Sequence, residues 1–312
     1  MKFVRDLAYR IRFSMVGWIP RPVLRGLLRL LHVRPELTDR VGYQVYPQVF
    51  YNPFPEPAQI DAARLAEKRD LPGVRFNTEA TDGFLRDLAR YSGEVSEFIR
   101  NRPANLIKNW DNTYAGYDLA TLYGMLRHLK PKRYIEVGCG YSTRTSTTAL
   151  ARNQAEGSPC EAVFIEPYPP SYLTELKLPC EFIPRKIQSV PLEKFQSLEA
   201  GDVLFIDTSH VIKAQNDVEY EFIHVLPSLK SGVIVHIHDI FTPFDYPADL
   251  LVGKGPNRGG NNEQYALECL LSGGGGWEVI LPVYLLWKEK SPALAKLVDS
   301  PERPAALWIR KR

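Results

Sequence analysis

The sequence predicts an α/β fold built on a doubly wound, mainly parallel sheet and preceded by a mainly helical N-terminal extension. Three observations predict it. From residue 117 onward, helical patterns alternate with short apolar runs of the kind that form strands buried on both faces. The first of those runs ends in a glycine turn. Basic charge is concentrated at the start of the chain, which sets that segment apart from the remainder.

The chain has 312 residues, 45% of them hydrophobic, enough apolar material for one large domain with an extension. Residues 1–35 hold Lys2, Arg5, Arg10, Arg12, Arg21, Arg25, Arg29 and Arg34 against Asp6 alone, whereas the whole chain carries only +3. The body is therefore mildly acidic, which excludes general nucleic-acid binding. Cys139, Cys160, Cys180 and Cys269 show neither CxxC spacing nor the density of a disulfide framework, and no paired Cys/His spacing marks a zinc site. Reduced thiols in the cytoplasm are the expectation. No stretch reaches the roughly 18 apolar residues of a spanning helix. Arg10 and Arg12 interrupt the region where a secretory signal would be apolar.

Phe3, Val4, Leu7, Ala8, Ile11, Met15, Trp18 and Ile19 recur at helical spacing, with Pro20 and Pro22 expected to end that helix. A second short helix, Val23 to Leu31, sets Arg25 and Arg29 four apart beside Leu24, Leu27, Leu28 and Leu31. Residues 1–31 thus form a basic amphipathic element with two readings: attachment to an anionic membrane surface at its inner face, or docking on the domain. Residues 41–57, rich in Tyr, Phe and Pro, read as an extended connector. Helical patterns follow at about 57–69 and 82–100, the second behind a Thr81 cap, and are expected to cover part of the sheet's functional edge. The expected division is 1–104 for the basic segment and helical cap, and 105–312 for the sheet domain.

Within that domain, 117–129 reads as a helix, 133–138 as a strand and TSTTALARN as a helix; 161–167, 180–184, 202–207 and 232–239 read as further strands. After a helix at 263–272, WEVILPVYLLW (277–287) and AALWIR (305–310) have no crossover helix between them and predict an antiparallel closing pair.

In an open α/β sheet, ligands lie beyond the carboxyl ends of the strands, where strand order reverses. The first strand runs into EVGCGYST (136–143), in which Gly138 and Gly140 allow a tight turn and close backbone approach. Thr143 stands where a dinucleotide fingerprint has its third glycine. Such a turn alone is also an ordinary strand-to-helix junction. The second strand ends in FIEP (164–167), placing Glu166 where a carboxylate accepts hydrogen bonds from both hydroxyls of a ribose. Glycine turn and acidic strand end together indicate a nucleoside-containing cofactor.

Asp207 ends DVLFID with His210 three residues later, and GVIVHIHD carries His236, His238 and Asp239, the two histidines on one face by strand alternation. A single histidine on a buried strand is more often a core residue; the pair beside aspartates at the sheet edge marks His238 as a catalytic candidate. Of Asp217, Glu219 and Glu221, the latter two read as a solvated face. FTPFDYP (241–247) and KGPNRGGNNEQY (254–265) read as a mobile wall for a polar, sugar-like acceptor. The Gly273–Gly276 run reads as a helix exit, since no Lys-Ser/Thr follows it.

EVGCGYST, FIEP, DVLFIDTSH (202–210) and GVIVHIHDIF (232–241) stand in the order and approximate spacing of the class I S-adenosylmethionine-dependent methyltransferases. The chain resembles in particular the methyltransferase family 24 group, related to small-molecule O-methyltransferases. The resemblance covers roughly residues 115–287 and leaves the first hundred outside. It implies a Rossmann-like seven-stranded sheet with an antiparallel closing strand, S-adenosyl-L-methionine as cofactor, and a hydroxyl of a small-molecule or glycan-precursor acceptor as substrate. It further implies that Glu136, Gly138, Gly140, Ser142, Glu166, Gln188 and Asp207 hold the cofactor. In that set, the glycines pass under its methionine part, Ser142 faces its carboxylate, Glu166 takes the ribose and Gln188 flanks adenine.

The catalytic candidates are His238, Asp207, His210 and Asp239. A hydroxyl must lose or mask its proton, and two routes stay open: His238 takes it, or a divalent cation such as magnesium lowers the hydroxyl pKa. Metal-dependent relatives carry an aspartate at the fourth strand end and Asp-Asn at the fifth. Asp207 and Asp239 match as metal ligands, but Ile240 occupies the Asn position, one oxygen short. A nicotinamide-dependent oxidoreductase is the main alternative, disfavoured by the missing third glycine and the lack of a suitably placed Tyr-x-x-x-Lys pair. A non-catalytic membrane-associated binding protein is disfavoured by intact Gly138, Gly140, Glu166 and His238. A nitrogen acceptor lacks its Asn/Asp-Pro-Pro-Tyr signature.

Overall fold

The computed structural model describes residues 19–47, 54–101, 114–170, 173, 180–252, 260–273 and 276–312. The helix predicted over 3–19 lies outside the described residues apart from its last position. The chain divides into two compact units, Met1–Gln59 and Ile60–Arg312.

In the first unit, helix α1 spans Arg21–Val33. Pro22 sits in its first turn, where the missing N–H costs nothing, so this proline starts a helix where the sequence reading had it end one. Residues 43–47 fold back along α1, where a 2.9 Å hydrogen bond joins His32 Nδ1 to the Val45 carbonyl. Among the described residues no helix is long and apolar enough to cross a membrane.

The second unit is built on a seven-stranded sheet. Helices α2 (Thr78–Leu88), α3 (Ser92–Arg100) and α4 (Gly116–Leu129) precede strand β1 (Arg133–Val137), followed by α5 (Tyr141–Ala155), β2 (Glu161–Ile165), β3 (Cys180–Ile183), β4 (Val203–Ile206) and β5 (Ile234–Ile237). Helix α6 (Glu263–Ser272), β6 (Trp277–Pro282), α7 (Val283–Lys288) and β7 (Leu307–Lys311) complete it. The strand order is β3-β2-β1-β4-β5-β7-β6. Strands β1 to β5 are parallel, and β7 runs antiparallel to both β5 and β6. Order reverses between β1 and β4, so the ligand crevice of such a sheet belongs at their carboxyl ends.

Strand alternation explains the two cores. Tyr134, Phe164, Phe205 and Trp308 point to one face and pack with Leu119, Leu122 and Tyr123 of α4. Ile135, Val137, Ile206 and Val235 point to the other and pack with Phe195, Leu226 and Leu267. Burial on both faces is why VLFI and IVHI read as near-continuous apolar runs.

In the sheet unit too the structure departs from the sequence reading. The run 277–287 is half strand and half helix: β6 ends at Pro282 and α7 follows, a boundary that an unbroken apolar run cannot reveal by periodicity. Helix α2 is capped by Asn77, whose side chain accepts from the Ala80 N–H at 2.9 Å. Thr81 lies inside the helix and donates its hydroxyl to the carbonyls of Asn77 and Ile280. Finally, 241–247 is no mobile wall, because Phe241, Phe244 and Tyr246 are buried against Tyr284 and Leu251.

Residues 60–101 fold with the sheet unit. The main chain of Arg75 and Asn77 pairs with Val279 of β6, both bonds at 2.8 Å, and so covers an edge that would otherwise be free. Leu85, Leu88 and Val95 join the core beside α4. From this segment Arg69 reaches the region after β5, donating to the Phe244 carbonyl and pairing with Glu268.

The tightest point of the sheet is Gly138, where φ is +84° and an added Cβ would lie 1.7 Å from the Asp207 carbonyl oxygen. Gly138→Ala is expected to lower stability by more than about 2 kcal/mol, read as a drop in the thermal unfolding midpoint. At Gly140 an added Cβ meets nothing within 4 Å, so Gly140→Ala is expected to cost much less in the same measurement.

Candidate active site

Strand β1 gives way to Gly138, whose N–H donates to the Ile165 carbonyl at 3.0 Å, while the Asp207 N–H donates to Val137 at 2.9 Å. Gly140 precedes α5 and donates its N–H to Thr143 Oγ1 at 3.1 Å. Beyond this turn lies a crevice of about 470 Å³, within the range of small-ligand sites, with Gly138, Glu166, Gln188, Asp207 and Lys213 on its walls. Another hollow, of about 680 Å³, involves Arg133, Glu161 and Cys180 at the amino ends of β1, β2 and β3, away from these groups.

The Glu166 carboxylate is held at the crevice by two main-chain donors, Cys139 at 3.2 Å and Tyr168 at 2.7 Å. Gln188 donates through Nε2 to the Gln215 carbonyl at 3.2 Å. Its Oε1 is buried with no partner among the described residues.

Glu136 and Ser142 do not face the crevice. Alternation in β1 turns Glu136 toward α5, where it is fully buried and accepts hydrogen bonds from Tyr134 (2.6 Å), Ser142 (2.9 Å), Thr143 (2.6 Å) and Ser146 (2.7 Å). Burial raises the Glu136 pKa, and the four hydroxyls only partly oppose that rise. Glu136 and Ser142 thus contact each other, which pins the start of α5 to β1 beneath the glycine turn.

Asp207, His210, His238 and Asp239 come together as one cluster. His210 Nε2 lies 3.2 Å from Asp207 Oδ1 and 3.3 Å from Asp239 Oδ2, with Nδ1 at 3.0 Å from Glu263 Oε2. His238 Nε2 is 3.3 Å from Asp118 Oδ2, while Nδ1 faces Asp207 and Asp239 at 3.5 and 3.7 Å. Burial works against a charge on either imidazole, but the surrounding carboxylates outweigh it and lift both pKa values well above the usual 6.5. Asp207 shows the reciprocal effect: burial would raise it, yet His238 and His210 hold it far below the ordinary carboxylate range. His210 (φ 58°) and Asp239 (φ 55°) are left-handed, as is Gln215 (φ 61°) on the crevice wall. Such backbone is costly outside glycine and gathers where a site over-determines it.

His236 is not part of the cluster. It stacks on Phe205 at 4.4 Å and meets the edge of Trp308 at 4.7 Å; burial lowers its pKa well below 6.5 and keeps it a neutral core residue. Glu221 is no solvated side chain either. It is fully buried at the start of a π-helical turn (Glu221–Val225), with Thr208 donating to it at 3.2 Å, and burial together with Glu263 raises its pKa.

Two members of the site escaped the sequence reading. Asp118 sits in the first turn of the nearly all-buried α4 and accepts from the Ala305 N–H at 3.0 and 3.1 Å as well as contacting His238. A lone carboxylate in the first turn of a mainly apolar helix is its signal. Glu263, 1% exposed, opens the helix expected at 263–272, but nothing in its local sequence points it at His210.

Asp207 and Asp239 were also the expected metal ligands. Their facing oxygens are engaged by His210 Nε2, and the neighbouring Ile240 is apolar and buried. Among the described residues, no group of three or more His, Cys, Asp or Glu side chains is arranged to hold a metal ion. This donor set does not fit an oxygen-seeking cation.

Residues 135–240 match a family described as a methyltransferase domain. No curated protein sequence matches the chain. Among solved structures, it is similar to CalS11, a TDP-rhamnose 3'-O-methyltransferase of calicheamicin biosynthesis, at 14% identity and TM-score 0.38 over 78% of this chain and 99% of that one. A Thermobifida fusca protein classed as a methyltransferase aligns at 11% identity and TM-score 0.40, over 78% and 97%. The CMeT domain of the citrinin polyketide synthase aligns at 13% and 0.38, over 62% and 50%. At these values the structural likenesses say nothing about acceptor or mechanism. The family match thus covers residues 135–240, the part of the chain that holds β1 to β5 of the sheet ordered β3-β2-β1-β4-β5-β7-β6.

Proposed function

We propose that the crevice binds S-adenosyl-L-methionine and that the protein moves its methyl group to a hydroxyl of a small-molecule or glycan-precursor acceptor. The observation that carries this reading is that Glu166 and Asp207 line one crevice. A carboxylate suited to a ribose therefore shares a cavity with Asp207, the one member of the acid–imidazole cluster on its wall. Bound S-adenosyl-L-methionine supplies an activated methyl group with its own leaving group. The catalytic domain in this reading is 105–312, with 1–104 as basic segment and helical cap, of which residues 60–101 pack into the sheet unit. Four free cysteines support a cytoplasmic setting.

Each residue then has a physical task. Glu166, fixed by two N–H donors, accepts from the ribose hydroxyls. Gly138 lets the main chain approach closely, and Gln188 Oε1, without a partner among the described residues, receives a donor from the base. Asp207 puts negative charge on the wall that meets a cationic cofactor. Asp118 holds His238 through Nε2 and leaves Nδ1 toward the aspartates. His238, once it has released its own proton, takes the proton of the acceptor hydroxyl. His210 and Glu263 act as positioning residues that keep Asp207 and Asp239 in place.

Calorimetric titration of the full chain with S-adenosylhomocysteine should show binding that Glu166→Ala weakens by about tenfold or more. Absence of binding, with tight binding of a nicotinamide dinucleotide instead, would overturn the reading. With labelled cofactor and a panel of hydroxylated acceptors, His238→Ala should cut turnover by about 10²-fold or more while leaving S-adenosylhomocysteine affinity unchanged. Because the His238 pKa is raised and the base form is needed, kcat/KM should rise with pH through a limb above 6.5. Asp118→Asn removes one of the charges that raise it, so the limb should move to lower pH. A parent limb at or below 6.5, or a limb that Asp118→Asn leaves in place, contradicts the assignment of His238.

A further inference from the structure

Helix α1 carries two chemistries on adjoining faces. At 100° per residue, Arg21, His32, Arg25 and Arg29 fall within an arc of roughly 80°, and Val23, Leu24, Leu27, Leu28, Leu30 and Leu31 within roughly 160°. The helix contains no acidic residue and buries none of its side chains. Leu27, Leu28 and Leu30 are 47%, 44% and 48% exposed. Among the described residues, ten of the thirteen exposed large hydrophobics lie between Val23 and Phe54, and the sheet unit contributes Tyr168, Ile223 and Tyr265. Among the described residues, uncovered apolar surface is therefore concentrated in the first unit.

The segment that folds back along α1 adds a groove of about 950 Å³, walled by Arg21, Arg25 and Arg29 together with Leu28, Val45 and Tyr46. The His32–Val45 hydrogen bond ties its two sides together. Tyr43 and Tyr46, 70% and 54% exposed, place amphipathic rings beside it, the residue type that favours the boundary between water and lipid. We infer that α1 and residues 43–47 form a docking face for an anionic phospholipid surface, with the arginines on headgroup phosphates and the leucine arc in the acyl boundary. Charge complementarity selects this occupant. A second copy would bring an equal row of arginines against the first, and a purely acidic protein partner would leave the wide leucine arc without use. The inference is independent of the methyl-transfer reading.

The test is flotation of the full chain with vesicles of phosphatidylcholine alone and of equimolar phosphatidylcholine and phosphatidylserine. Binding is expected to the anionic vesicles only, to fall with added salt, and to weaken by at least about tenfold in Arg25→Glu/Arg29→Glu and in Leu27→Glu. Unchanged thermal unfolding and S-adenosylhomocysteine affinity of these variants establish that the fold is intact. No binding to either vesicle, equal binding to both, or full binding by the charge-reversed variant overturns the inference. Dimerisation in sedimentation that Leu27→Glu abolishes, without vesicle binding, would give the face to a second copy instead.

Discussion

The close approach of two strand ends governs this site. Gly138 after β1 and Asp207 after β4 pass so near each other that a single methyl group at Gly138 has no room. That contact lies at the switch point of the sheet, between β1 and β4. It lets the chain after β1 turn toward α5 while the chain after β4 carries Asp207 onto the crevice wall. A larger residue at 138 would push these segments apart and dissolve the relation between Glu166 on one side and Asp207 on the other.

Two buried electrostatic arrangements support the turn from either side. Beneath it, Glu136 collects four hydroxyl donors and binds the first turns of α5 to β1. Beside it, two imidazoles are wedged among Asp118, Asp207, Asp239 and Glu263. Burying Asp118 and Glu263 beside the half-buried Asp207 and Asp239 is costly unless cations neutralise them, which is why the histidines are driven toward the protonated form. Left-handed backbone at His210 and Asp239 is held in the same way. The cluster thus stores basicity: its imidazoles bind a proton tightly at rest and accept one strongly once it is lost.

Much of this was legible in the sequence, for identifiable reasons. Strands buried on both faces announce themselves as apolar runs, and their ends supply Glu166, Asp207, His238 and Asp239 by position alone. The antiparallel closing pair followed from the short Pro- and Lys-punctuated link at 288–304. What could not be read depended on orientation or on distant partners. Glu136 and Ser142 stand in a motif that points to a ligand, yet strand alternation turns them onto each other. Glu221 looks like surface until a π-helical turn directs it inward. Asp118 lies 120 residues before His238, and no local spacing connects them. The 241–247 segment, aromatic and proline-bearing, reads as a loop but packs as core because Tyr284 and Leu251 meet its rings.

The central claim is that one crevice presents Glu166 to a nucleoside and Asp207, backed by His238, to the reacting group. A crystal structure of the full chain with S-adenosylhomocysteine tests this most directly. The account predicts the ribose hydroxyls on the Glu166 carboxylate, the base beside Gln188 and the thioether sulfur facing Asp207. A ligand lodged elsewhere, or bound in the crevice with its ribose away from Glu166, would contradict it.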